Sequence, residues 1–167
     1  TAHRWLGSRL EDRDEALDRR RWVQERRASF LKTVRSQLAT LQGCDLAAAR
    51  LLEGFILERT KGSAAGKKSL ELAVDLYREE CAAGRLISLR DFICSFSAER
   101  FLCQCLAEEG NFGVAAERLG TSLVRFDRTK DRLEWLESQA LLCEVLTNGG
   151  FYDAADRALS DFFAELD

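Results

Sequence analysis

A chain of 167 residues without a single proline has few ways to interrupt a helix. Proline removes a backbone donor and clashes with the preceding turn, which makes it the strongest breaker of helix interiors. Without it, the stops fall to glycine, and Gly43, Gly62, Gly84, Gly110 and the pair Gly149–Gly150 punctuate the chain. Leu, Ala, Glu and Arg dominate between them, and all are good helix formers. The expectation is an all-α protein of long helices joined by short turns.

Reading from stop to stop predicts seven helices packed as an antiparallel stack. The first is highly charged, runs from about Leu10 to Leu41 and stops at Gly43. Asp45 is positioned to cap a second helix reaching Arg59, closed by Gly62, and the small, polar segment Gly62–Lys68 reads as a loop. A third helix covers Ser69–Ala83. Ser88 with Asp91 three residues on is a capping box for a fourth, which ends at Gly110. Asn111 opens a fifth helix to about Phe126, Thr129 a sixth to Gly149, and the seventh runs from Tyr152 towards Leu166. The division expected is a long charged helix over residues 1–43, packing on or extending from a unit of helical hairpins over residues 44–167.

Composition excludes several classes. At 46% hydrophobic and 32% charged, the chain is globular rather than disordered, and its length suits one core. A net charge of −3 selects neither nucleic acid nor an anionic membrane. No apolar stretch approaches a membrane span and no signal peptide opens the chain, so an intracellular (cytoplasmic or nuclear) protein is expected. Thr1 at the start and the absence of methionine suggest a piece of a longer protein. The six cysteines (Cys44, Cys81, Cys94, Cys103, Cys105 and Cys143) mostly sit in apolar helical patterns and are read as reduced thiols packed as small hydrophobes.

An internal repeat is the most informative pattern. Leu102-Cys103, Leu106, Gly110, Phe112, Ala115 and Leu119 recur 40 residues later as Leu142-Cys143, Leu146, Gly150, Tyr152, Ala155 and Leu159. On a helical hairpin the Leu-Cys pair and the later Leu lie one turn apart on the first helix. Gly allows the turn, Phe or Tyr plugs it, and Ala lets the second helix approach, with Leu filling the groove. A weaker upstream copy uses Gly54, Leu57, Ala73 and Tyr77, its turn lengthened by Gly62–Lys68.

The order small–large–Gly–aromatic–Ala–large resembles the tetratricopeptide repeat, best over Glu99–Phe126 and Gln139–Phe163. The departures are a period of 40 instead of 34, Glu99 and Gln139 where the family has a tryptophan, Ser122 and Phe162 at its late alanine, and no closing proline. A HEAT-type repeat fits the period as well. The resemblance implies a right-handed solenoid whose first helices line a concave, peptide-binding face. Mapped position by position, that face would present Arg100, Gln104 and Glu108, then Glu137, Glu144 and Asn148, with Arg59 from the weaker copy. Family members that grip a C-terminal carboxylate use a lysine–asparagine clamp there. Arg100 and Gln104 only echo it and Glu144 replaces an amide, so the resemblance points to a mixed-charge partner segment instead.

Catalytic and cofactor motifs carry little. The single histidine, His3, lies near the terminus, so no Ser–His or Cys–His pair is expected. Gly62-Ser-Ala-Ala-Gly-Lys-Lys-Ser69 is one residue short of a phosphate-binding loop and follows a helix where a strand is required. Cys103 and Cys105 point about 200° apart on a helix and cannot grip one metal together. Glu137 and Glu144 share a face, read as solvated acid. The expectation is a non-catalytic protein without cofactor or metal, acting as a scaffold or adaptor for a protein partner, either a peptide or a helix.

The first helix carries a basic stretch with Arg19, Arg20, Arg26 and Arg27 beside Trp22, directly after the acidic run Glu11–Asp18. Local neutralisation argues against nucleic acid and leaves this stretch as an alternative basic surface. Leu10, Leu17, Leu31 and Leu38 have heptad-compatible spacing, with Gln24 interrupting. An alternative function is that of a self-associating or assembly subunit, using this helix and a C-terminal end face with Phe163 and Leu166 turned outward.

Overall fold

The computed structural model describes residues 2–86, 88–125 and 131–166, with side chains from Leu17 onward. Among the described residues are seven helices and no strand: α1 (Ala2–Gln37), α2 (Gly43–Lys61), α3 (Ser63–Ala82), α4 (Leu89–Glu108), α5 (Phe112–Leu123), α6 (Arg132–Asn148) and α7 (Tyr152–Ala164). The expected boundaries at Phe126 and Thr129, and the side chains of His3, Leu10 and most of the acidic run, lie outside the described residues. No helix among the described residues is long and apolar enough to cross a membrane.

The termini follow local chemistry. Ser88 caps α4, its hydroxyl accepting from the Asp91 amide at 3.0 Å, and the two side chains also bond each other. Gly110 (φ 82°) and Gly150 (φ 78°) take the left-handed conformation that closes a helix without a Cβ clash. Behind them the amides of Asn111 and Phe151 donate to Leu106 and Leu146, each at 2.9 Å, so the two turns are copies 40 residues apart. The expected cap at Asp45 is corrected: Gln42 occupies the cap, and Asp45 sits inside the first turn, bonded to Arg90 at 3.1 Å.

The expected loop over Gly62–Lys68 is also corrected. Gly62 alone makes the turn, and α3 begins at Ser63. Small residues suggest flexibility there, but close packing requires them. A Cβ on Gly66 would lie 2.4 Å from the carbonyl oxygen of Gly54, and one on Gly54 would lie 2.6 Å from Leu70 Cγ. The two backbones therefore touch where α2 and α3 cross.

Each helix packs on the next in the chain, and α2, α4 and α6 also touch one another in that order. The main core joins Leu51 of α2, Leu70, Val74 and Tyr77 of α3, Leu102 and Cys103 of α4, Ala115 and Leu119 of α5 and Val145 of α6. Cys143, Leu146, Ala155 and Ala158 close the last hairpin, and Phe96 with Trp135 forms a third cluster. Both repeat alanines are buried, Ala115 at 0% and Ala155 at 3% exposure. The two copies differ in what lies beyond them. Leu119 is 1% exposed beneath α6, whereas Leu159 is 37% and Tyr152 66% exposed, so neither plugs nor fills the last hairpin as expected. The contact at that turn is made by Gly149, where a Cβ would lie 2.8 Å from Phe112 Cβ and 2.7 Å from the Phe151 ring.

Among the described residues, helix α1 packs on α2 alone. Its packed side carries Val23, Leu31 and Val34, and Leu38 and Leu41 follow in the turn to α2, all wholly or partly buried. The expected stripe holds at Leu31 and Leu38, but Leu17 is 50% exposed and Gln24 gives way to Val23. Arg27 reaches the carbonyl of Arg59 near the end of α2, so α2 runs out before it can cover Leu17.

Candidate functional site

The exposed side of α2, α4 and α6 brings several of the expected residues together. Arg100 of α4 forms an ion pair with Glu137 of α6. Its guanidinium also sits 5.6 Å from the ring of Phe101, which packs on Phe55 of α2 with centroids 5.0 Å apart. Arg59 lies 5.5 Å from the Phe55 ring. The result is a continuous row across three helices: Arg59, Phe55, Phe101, Arg100, Glu137. Guanidinium groups are attracted to aromatic faces, which extends both arginines over the rings while each also pairs with a carboxylate, Arg59 with Glu58 at 3.1 Å and Arg100 with Glu137.

Gln104 and Glu108 follow Arg100 at one-turn intervals along α4, the first half-buried and the second exposed. Glu144 and Asn148 are exposed further along α6. Helical spacing puts Glu144 and Asn148 on the Glu137 side of α6. None of these four makes a hydrogen bond or ion pair among the described residues, so their polar groups are open to a ligand. Glu137, expected on a solvated acidic face, is exposed and also engages Arg100. Phe55 and Phe101 escaped the sequence reading because their periodicity is that of core residues. Only the stacking of α2 on α4 turns them towards each other.

The basic stretch of α1 is divided. Arg19 and Arg20 are exposed, and Arg26 stacks over Trp22 at 5.0 Å. Arg27 turns inward to the Arg59 carbonyl at 3.3 Å, and Arg35 bonds Glu53 at 2.7 Å. Below these, α1 and α2 leave an apolar groove of about 410 Å³ lined by Ala28, Leu31 and Ile56, with Lys32 and Lys61 at its edge.

Buried carboxylates knit the helices beneath this surface. Glu53, 4% exposed, accepts from Arg35, from Arg50 at 2.8 Å and from Ser69 at 2.9 Å, joining α1, α2 and α3. Burial pushes its pKa up, but these three donors outweigh that and hold it below the ordinary carboxylate range. Glu99 joins α3, α4 and α5 through Arg78 and Arg118. Cys103 and Cys105 are both buried, which pushes their thiols up to about 12 and about 11. Such thiols are poor nucleophiles and poor metal ligands.

No family model, curated protein or solved structure matches this chain.

Proposed function

We propose that this chain is a non-catalytic protein-interaction module. In this reading it is a divergent relative of the tetratricopeptide repeat that holds a partner segment along α2, α4 and α6. The continuous row from Arg59 through Phe55, Phe101 and Arg100 to Glu137 carries the reading. It crosses three helices and combines apolar rings with charges of both signs, which suits a peptide or helix of complementary charge. The packing order supports a solenoid as its frame. First helices approach one another, while the backbones of α3, α5 and α7 do not among the described residues, as expected for the splayed outer layer of a curved stack. Within that frame the stretch 1–43, which contains α1, is the added element and residues 44–167 are the hairpin repeats.

The test is an affinity pull-down with the double variant Arg100→Glu, Glu144→Lys beside the wild type. Partners recovered by the wild type should be lost or exchanged in the variant. Identical recovery by both would remove this face from the functional account.

A further inference from the structure

The two ends of the helix stack carry matching chemistry. In α5, the positions Leu119 and Leu123 are covered by α6, and Leu123 packs with Trp135. Forty residues on, the same positions of α7 are open: Leu159 is 37% and Phe163 59% exposed, with Tyr152 at 66% and Leu166 at 49%. Residues 152, 159, 163 and 166 are spaced so that they form one stripe along the helix. Asp156 falls within that stripe, one turn from Tyr152 and from Leu159. Helix α7 is thus an apolar ridge with an acidic inset.

At the other end, α1 carries Trp22 at 56% and Phe30 at 50% exposure alongside its packed side. Arg26 stands between them at one-turn spacing, its guanidinium 5.0 Å from the Trp22 ring. Within residues 19–35, Arg27 and Arg35 turn inward to α2, and Arg19, Arg20, Arg21, Arg26 and Lys32 are exposed beside one carboxylate, Glu25. Helix α7 has the opposite balance, Asp153, Asp156 and Asp161 against Arg157. Large exposed apolar side chains of this kind mark interaction surfaces, and opposite charge beside them selects the partner.

We propose that α7 of one copy lies across the exposed face of α1 of a second copy, with Leu159 and Phe163 beside Trp22 and Phe30 and with Asp156 against Arg26. Among the described residues the backbone of α1 approaches that of α2 alone and the backbone of α7 that of α6 alone, so the two stand at opposite ends of the packing order and a contact between them joins two copies. Such a contact is heterologous. It closes if two copies exchange it reciprocally, and otherwise propagates head to tail.

The test is sedimentation equilibrium of the 167-residue protein with two single charge reversals, Asp156→Lys and Arg26→Glu. Both positions are exposed, and circular dichroism verifies that each variant keeps its helices. The wild type should self-associate reversibly, and each variant should bind itself at least about tenfold more weakly. An equimolar mixture of the two variants should regain association. The lysine introduced on α7 of one variant then faces the glutamate introduced on α1 of the other, while the second contact is wild type on both sides. Rescue in the mixture cannot come from mere loss of stability. A wild type that stays monomeric up to about 100 µM, variants that associate as the wild type does, or a mixture no stronger than its parts would each overturn the proposal.

Discussion

Glu99 on α4 accepts a hydrogen bond from Arg118 Nε on α5 at 2.7 Å, and 40 residues later Gln139 on α6 donates to the Ala158 carbonyl on α7 at 2.8 Å. The bond spans the same 19 residues in both hairpins. Both side chains are buried, at 7% and 4% exposure. In each hairpin a polar side chain at this position ties the second helix to the first. The repeat therefore keeps a link between its two helices while changing that link's chemistry.

Removing the link should cost the first hairpin more than the second. In Glu99→Ala, Arg118 and Arg78 lose their shared carboxylate. Because both guanidinium groups keep some water, the expected loss is about 2–3 kcal/mol, below the full cost of breaking a wholly buried pair. Gln139→Ala breaks one neutral bond and should cost about 1 kcal/mol. Arg100→Ala, at the exposed ion pair with Glu137, should cost less than about 1 kcal/mol. Urea denaturation midpoints order the three, and an Arg100 loss equal to that of Glu99 contradicts the assignment of Glu99 as an interior link.

Glycine substitutions should split by location. Gly66→Ala places a methyl 2.4 Å from the Gly54 carbonyl oxygen, so α2 and α3 must separate, at a cost of about 1–3 kcal/mol or more. Gly120→Ala meets nothing within 4 Å inside α5 and should stabilise by up to about 1 kcal/mol. Ala115→Glu and Ala155→Glu bury a charge at the hairpin crossings and should cost several kcal/mol, on the order of 3–5. Thermal unfolding of the four variants tests the set. An unchanged melting temperature for Ala155→Glu would falsify the packing described for the last hairpin.

Acid should loosen the junction of α1, α2 and α3 through Glu53. Its folded pKa is held below the unfolded value, so the carboxylate's contribution is fully present above the unfolded pKa of about 4.3. That contribution is lost as pH falls through the folded pKa. Stability measured from neutral pH down should therefore drop below about pH 4.5, with a shallower drop in Glu53→Gln. Equal slopes in the two proteins would mean that Glu53 gains nothing from Arg35, Arg50 and Ser69.

Thiol labelling should follow burial. Cys81 is exposed and should react first with an alkylating reagent. Cys103 and Cys105, both 0% exposed and with raised pKa values, should react only as fast as the protein unfolds. Mass spectrometry of a labelling time course gives the order directly. Early modification of Cys103 contradicts its place between α4 and α5.

Sequence by itself determined that the chain is helical and how several of its helices end. Proline absence, the Ser88–Asp91 box and the glycine turns at 110 and 150 act within a few residues, and local forces of that range can be read from a string. The 40-residue repeat likewise announced the burial of Ala115 and Ala155, because spacing along a hairpin fixes which positions meet. Tertiary structure decided the rest. Gly62–Lys68 reads as a loop until α2 lies against it, since the reason for its small residues is a neighbouring backbone distant in sequence. Leu119 and Leu159 are identical in pattern, yet one is covered by α6 and the other is bare. The row from Arg59 to Glu137 likewise exists only because three helices stack. Periodicity tells which side of a helix is apolar, but only the arrangement of the other helices determines what that side touches.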